Sequence, residues 1–168
     1  GFQLGLRVPW DLNADFDVQA VSLQRLARLA GLDAVAEDVA GHGSVSGHAA
    51  GQLTELNIVS QGRVISPTVT CRGTQLNDLH FAYSVNKHAL QVSELTAKTV
   101  GAGRLTLNAT LPFDVATDGR ISGDWLDVDV AKIAAAFANA PLQISGSSSG
   151  RTEISIPGGS LSDPAAWK

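Results

Sequence analysis

Gly103-Arg104-Leu105-Thr106-Leu107-Asn108-Ala109-Thr110-Leu111 is the stretch that decides the fold. Leu105, Leu107, Ala109 and Leu111 alternate with Arg104, Thr106, Asn108 and Thr110, and successive side chains of a strand face opposite sides. The stretch is therefore expected as a strand with one apolar and one polar face. An apolar sheet face must be hidden from water. What hides it, whether a second sheet, a closing barrel or a ligand, largely decides what the protein does.

Outward from this strand the alternation recurs at Gln3 to Val8, Ala14 to Ala20, around Val45, at Leu53 to Val59 and at Val64 to Cys71. Leu79, Phe81, Tyr83 and Val85 form the most aromatic stripe, opposed by His80, Ala82, Ser84 and Asn86. Leu90 and Val92 extend it, but Leu95 and Ala97 fall on the other parity, which predicts a β-bulge near Ser93-Glu94. Ile121, Trp125-Leu126, Leu142 to Ile144 and Ile154 to Ile156 supply the rest. Gly62, Gly73, Asn86-Lys87, Gly101 to Gly103, Asp118-Gly119 and Gly158-Gly159 read as turns. Their spacing, often roughly 8–12 residues, is the rhythm of an antiparallel meander.

Helix is expected at two places. In Ser22 to Gly31 leucines recur every third residue, Ser22 can cap the N-terminus and Gly31 suits the position just past the C-terminus. In Asp129 to Phe137, Val130, Ile133 and Phe137 make one apolar stripe, capped by Asp127 or Asp129. Each is roughly 14 Å long, too short for the pair to cover a long series of strands. The segments before the helices are alike (Phe16-Asp17-Val18 and Trp125-Leu126-Asp127-Val128), and Gly51-Gln52-Leu53-Thr54 is echoed by Gly159-Ser160-Leu161-Ser162. Asp17 to Asp127 is 110 positions and Gly51 to Gly159 is 108. The chain is thus read as one β-rich segment of about one and a half repeats, residues 15–118 and 119–168.

Composition narrows the functions. With 44 % hydrophobic and 17 % charged residues the chain can bury a core. A net charge of −4 without basic runs argues against nucleic acid as a partner. Cys71 is the sole cysteine, so no internal disulfide forms. No apolar run approaches the roughly 18 residues of a membrane span. The missing initiator Met and the strand-like start are read as an excised piece of a longer protein.

Catalytic motifs fit poorly. Gly146-Ser147-Ser148-Ser149-Gly150 matches a nucleophile elbow but is followed by the strand-like Arg151 to Ile156 instead of a helix, so it is read as a flexible turn. Gly101-Ala102-Gly103 lacks the third glycine of a dinucleotide loop. His42 and His48 share a parity but have no third ligand near, and His80 and His88 flank another hairpin, so no metal or other cofactor is expected. Asp11, Asp15, Asp17, Asp127 and Asp129 gather ahead of the helices, where capping explains several of them more simply than paired acid–base catalysis. The chain is read as non-enzymatic. Trp10, Trp125 and Trp167 with Phe81 and Tyr83 leave a second reading open, a closed β-sandwich module binding carbohydrate or cell-surface ligands.

The order of Gly43-Ser44-Val45-Ser46-Gly47, Gly51-Gln52-Leu53-Thr54-Glu55-Leu56, Leu76-Asn77-Asp78-Leu79-His80-Phe81, Leu90-Gln91-Val92-Ser93-Glu94-Leu95 and Gly101-Ala102-Gly103-Arg104-Leu105-Thr106-Leu107 resembles the AsmA/TamB superfamily of envelope proteins. The resemblance covers about residues 15–167 and lies in the order of the motifs more than in any one of them. It implies a curved antiparallel sheet, a U-shaped groove with an apolar concave face, and two short helices. It further implies a periplasmic protein, anchored in the inner membrane, that carries phospholipid or another acyl-chain lipid between the membranes of diderm bacteria or assists outer-membrane biogenesis. The groove lining is then expected from Leu79, Phe81, Tyr83, Val85, Leu90, Val92, Leu105, Leu107, Ala109 and Leu111. Open edge strands predict end-to-end pairing, such as an edge-strand homodimer.

Overall fold

The computed structural model describes residues 11–52, 57–99, 101–129, 131 and 146–160. They form one antiparallel sheet of eight strands in sequential order. These are β1 (Asp11–Ser22), β2 (Val39–Gln52), β3 (Asn57–Cys71), β4 (Thr74–Val85), β5 (Ala89–Thr99), β6 (Arg104–Pro112), β7 (Gly119–Asp129) and β8 (Ser147–Ile156). Two helices, α1 (Leu23–Leu29) and α2 (Asp33–Asp38), sit between β1 and β2. The sheet is open: β1 and β8 are its edges and do not pair with each other. The expected mostly-β meander is found, and the described strands form one sheet and not the two facing sheets of a sandwich. The expected strands at Gln3 to Val8 and Leu142 to Ile144, most of the second helix, Leu53 to Leu56, the Leu161 end of the glycine echo, Trp10 and Trp167 lie outside the described residues.

Local chemistry explains the element ends. The Ser22 hydroxyl accepts from the Arg25 N–H, and Gly31, just past the cap residue Ala30, takes a φ of +74°. Arg72 and Gly73 both have positive φ between Cys71 and Thr74, a two-residue hairpin whose twist matches the strands it joins. Asn86 turns β4 into β5 by accepting the N–H groups of His88 and Ala89 through its side chain. α2 was not expected, because six residues carry no legible apolar stripe.

Four strands carry a non-glycine residue in the left-handed region where the register shifts: Ala20 in β1, Asp78 in β4, Glu94 in β5 and Asp127 in β7. Each is a β-bulge that swaps the parity of the residues beyond it. The bulge expected near Ser93-Glu94 is there. Bulging leaves a backbone N–H off the ladder, and neighbouring strands supply acceptors: Asn108 Oδ1 takes the Glu94 N–H at 3.0 Å, and Ser149 Oγ takes that of Asp127 at 3.0 Å. In β3 the fully enclosed Ser66 hydroxyl bonds the carbonyls of His42 (2.7 Å) and Thr68 (3.1 Å), where β2 and β3 also slip register.

The first and last strand pairs are built alike. In β1 the bulge at Ala20 is followed by Val21 and the cap Ser22, and in β7 the bulge at Asp127 is followed by Val128 and Asp129, whose carboxylate accepts from the Ala131 N–H. Ser22 then pairs with His42 and Asp129 with Ser147. Ala20 to Asp127 is 107 positions and His42 to Ser147 is 105.

Two glycine sites shape the sheet. Gly47 and Gly62 oppose each other across β2 and β3, and a methyl at Gly62 would meet the Ser46 carbonyl and the Gly47 Cα. Gly62 is thus a mid-strand close approach, not the turn its sequence suggested. Gly150 lies under Trp125, whose ring carbons would be 2.6 Å from an added Cβ, the ring filling the space that the glycine leaves. Gly62→Ala is expected to cost about 2–3 kcal/mol, because backbone cannot swing aside. Gly150→Ala is expected to cost about 1 kcal/mol, since a ring can tilt. Urea midpoints of the two variants check the order.

Candidate functional site

Directly opposed residues of antiparallel strands share a face, so register alone maps both surfaces of the sheet. One row runs Phe16, Gly47, Gly62, Tyr83, Val92, Ala109, Ile121, Ile154 across all eight strands. The next row, one residue along, runs Asp15, His48, Gln61, Ser84, Gln91, Thr110, Arg120, Ser155. The first contains no charge or amide, and the second contains no apolar residue. Alternation read strand by strand has become two chemically opposite surfaces.

All ten residues expected to line a groove fall on the apolar face. Tyr83, Val92 and Ala109 belong to the row above. Leu79, Phe81 and Val85 follow Tyr83's parity on β4, Leu90 follows Val92's on β5, and Leu105, Leu107 and Leu111 follow Ala109's on β6. Leu79, Ala109 and Leu111 are buried and the other seven half-buried. Phe16, Val45, Val64, Ile121 and Ile154 share this face and were not among the expected lining residues, although each sits in a stretch whose alternation was visible.

Two apolar clusters occupy the face. The first centres on Val45, Val64, Val69, Leu79 and Ala97 with Leu23 of α1, and Leu26 packs on it. The second centres on Ala109, Leu111 and Ile156, and Leu32, in the turn between the helices, packs against it. The helices therefore touch the apolar face by their leucines while Leu29 points to solvent at 86 % exposure. Ile156 and Ser66 are the largest of the described side chains that are completely enclosed. Most of this face is sheltered without being sealed.

The polar face holds exposed ion pairs and hydrogen bonds: Asp15 with His48 (2.8 Å), Asp78 with Lys98 (2.8 Å), Asp124 with Arg151 (2.7 Å), and Arg120 with Glu153. The hydrogen bond and charge of Lys98 hold the Asp78 carboxyl below the usual carboxylate range, and Asp124 raises Arg151. Such exposed pairs contribute little to stability. His80 bonds Thr96, and among the described residues no three His, Cys, Asp or Glu side chains converge as metal ligands. Burial pushes the Cys71 thiol up, away from a nucleophilic thiolate.

Several sequence motifs take other roles than expected. Ser147 to Gly150 begins β8 instead of forming a turn, with Ser148 Oγ accepting from the Trp125 indole at 3.1 Å. Asp11, Asp15 and Asp17 lie within β1 and cap no described helix, whereas the Asp129 carboxylate accepts from the Ala131 N–H. Trp125 lies three strands from Tyr83, roughly 14 Å away, so these two rings form no contiguous platform. No described helix is long and apolar enough to cross a membrane. Compared with known proteins, the chain matches no family model, no curated protein and no solved structure.

Proposed function

We propose that this chain is a segment of an AsmA/TamB-like periplasmic protein whose apolar sheet face holds lipid acyl chains along a groove, without enzymatic chemistry, in phospholipid transport between the inner and outer membranes. The observation that carries the reading is the apolar row crossing eight strands, backed by an all-polar row. A sixteen-carbon tail in water costs on the order of 12 kcal/mol at about 0.8 kcal/mol per CH₂. A continuous apolar surface removes that barrier along its whole length, and aliphatic side chains let a tail slide.

Curvature is supported by one contact. Leu32 leaves the sheet through α1 from β1, yet packs on the β6 and β8 cluster. In a flat sheet β1 and β6 stand about 24 Å apart, and α1 with its seven residues is only about 10 Å long. A sheet curled around the helical hairpin closes that distance. The matching bulges of β1 and β7, and the pairs Ser22–His42 and Asp129–Ser147 that follow them, are consistent with the two repeats proposed for residues 15–118 and 119–168.

The test is purification without detergent, followed by organic extraction and mass spectrometry. Near-stoichiometric phospholipid is the expected result. A lipid-free, stable protein that also fails to take up phospholipid from vesicles overturns the reading and moves the carbohydrate-binding alternative forward.

A further inference from the structure

The apolar face already has an occupant, supplied by the chain itself. Leu23 of α1 lies in the cluster built on β2 to β5 and Leu26 packs on it, while Leu32, in the turn between the helices, packs on the cluster of Ala109, Leu111 and Ile156. Leu79, Ala109 and Leu111 of the expected groove lining belong to these clusters. The hairpin and an acyl chain therefore draw on the same surface. Both would be held there by burial, which has no directional demand, so one can replace the other.

The attachment of the hairpin suits displacement. α1 has seven residues and α2 six, too few to be stable helices without packing. The N–H groups of Ala30, Leu32 and Ala36 donate to the carbonyls of Leu26, Ala27 and Leu32, bonds that travel with the hairpin. Both of its stems leave the sheet beside irregular backbone. Ala20 in β1 is left-handed, and Gly41 in β2 has a φ of +148° where the register with β3 shifts. A few residues at element ends are enough to absorb the dihedral changes of a moving flap. The Arg72 guanidinium and N–H donate to Asp38, the last residue of α2, at 2.6 and 2.9 Å. That clip fixes the base of the hairpin, while apolar contact holds its tip at Leu32.

We propose that the α1–α2 hairpin is a lid over the apolar face, and that acyl chains bind by displacing its leucines. The lid presupposes the lipid reading and regulates that same surface. A lid that is mostly closed lowers the apparent affinity by the fraction of molecules in which it is open. Loosening its leucines therefore strengthens binding, the reverse of what truncating a wall of the site would do.

The test titrates a dansyl-labelled fatty acid, which brightens in apolar surroundings, into the full chain after its lipid has been removed. Leu26→Ser combined with Leu32→Ser is expected to tighten binding about tenfold. Leu29→Ser, at the exposed position of α1, is expected to leave it unchanged. Circular dichroism confirms that each variant keeps its sheet. A second measurement uses the unaltered chain. Hydrogen exchange of the α1 and α2 amides is expected to speed about tenfold when the probe is bound, while amides of β3 to β6 keep their protection. Unchanged or weaker binding by the double variant, or helix amides that exchange no faster with the probe bound, makes the hairpin a wall of the site and overturns the lid alone. A probe that binds neither the wild type nor the double variant overturns the lipid reading, and the lid with it.

Discussion

Deleting Leu95, one residue past the bulge of β5, is expected to abolish cooperative folding, a larger effect than any single substitution in the sheet. Glu94 adopts a φ of +53° at the point where the β5–β6 register slips between Val92 and Leu95. Before it, Leu90 and Val92 face the apolar side, and beyond it Leu95 and Ala97 do. Removing Leu95 while the bulge stays turns Ala97 to the polar face and brings Thr96 to the apolar one. Lys98 then occupies the side where Ala97 is now 2 % exposed. A lysine forced there without a partner costs several kcal/mol, to which the lost burial of Leu95 and Ala97 adds about 2 kcal/mol. Giving up the bulge instead keeps Ala97 in place but sets the Glu94 carboxylate where Leu95 packs. That is a large fraction of the stability of an ordinary domain. Glu94→Gly is the control, since it keeps the length and relaxes the left-handed backbone. It is expected to be neutral or stabilising by up to about 1 kcal/mol. Urea unfolding of both variants decides: a deletion variant with the wild-type midpoint would mean that the two faces do not set the register of β5.

The second large effect is on ligand. Leu107→Arg is expected to reduce co-purifying phospholipid about tenfold, whereas Thr106→Arg leaves it unchanged. The two positions are adjacent on β6 and face opposite sides, Leu107 opposed by Leu95 and Gly123, Thr106 by Thr96 and Asp124. A guanidinium at Leu107 interrupts the apolar surface for about two methylene groups of a tail, close to a tenfold change in affinity. Phe81→Glu, two residues from Tyr83 on the same face, is expected to act alike. Folded variants are compared by thermal melting before extraction. Equal lipid in folded Leu107→Arg and Thr106→Arg proteins would place the lipid elsewhere than on this face.

Much of the sheet was legible because a strand's face is a local property. The alternation in Arg104 to Leu111 needs no partner to be read, nor does the parity change that marks Glu94, nor the Ser22 cap and Gly31 stop of α1. Gly62 misled because glycine signals a turn by its conformational freedom and a close backbone approach by its missing side chain, and only the opposed Gly47 shows which applies. Ser148 and Ser149 looked like a hydrolase motif or a flexible turn because their partners, the Trp125 indole and the Asp127 N–H, are more than twenty residues away in sequence. α2 was invisible for lack of length, its six residues being stabilised by packing more than by propensity.

By itself the sequence determined which side chains share an apolar face along each regular run of strand, because strand geometry imposes a period of two between bulges, and of the four bulges only the one at Glu94 was legible. Tertiary structure alone decided that the eight strands join into one open sheet, that their apolar residues align row by row, and that Leu32 reaches the far cluster. Those outcomes depend on register, bulges and pairing between residues distant in sequence, and the same alternation serves a sandwich, a barrel or an open sheet until those contacts are made.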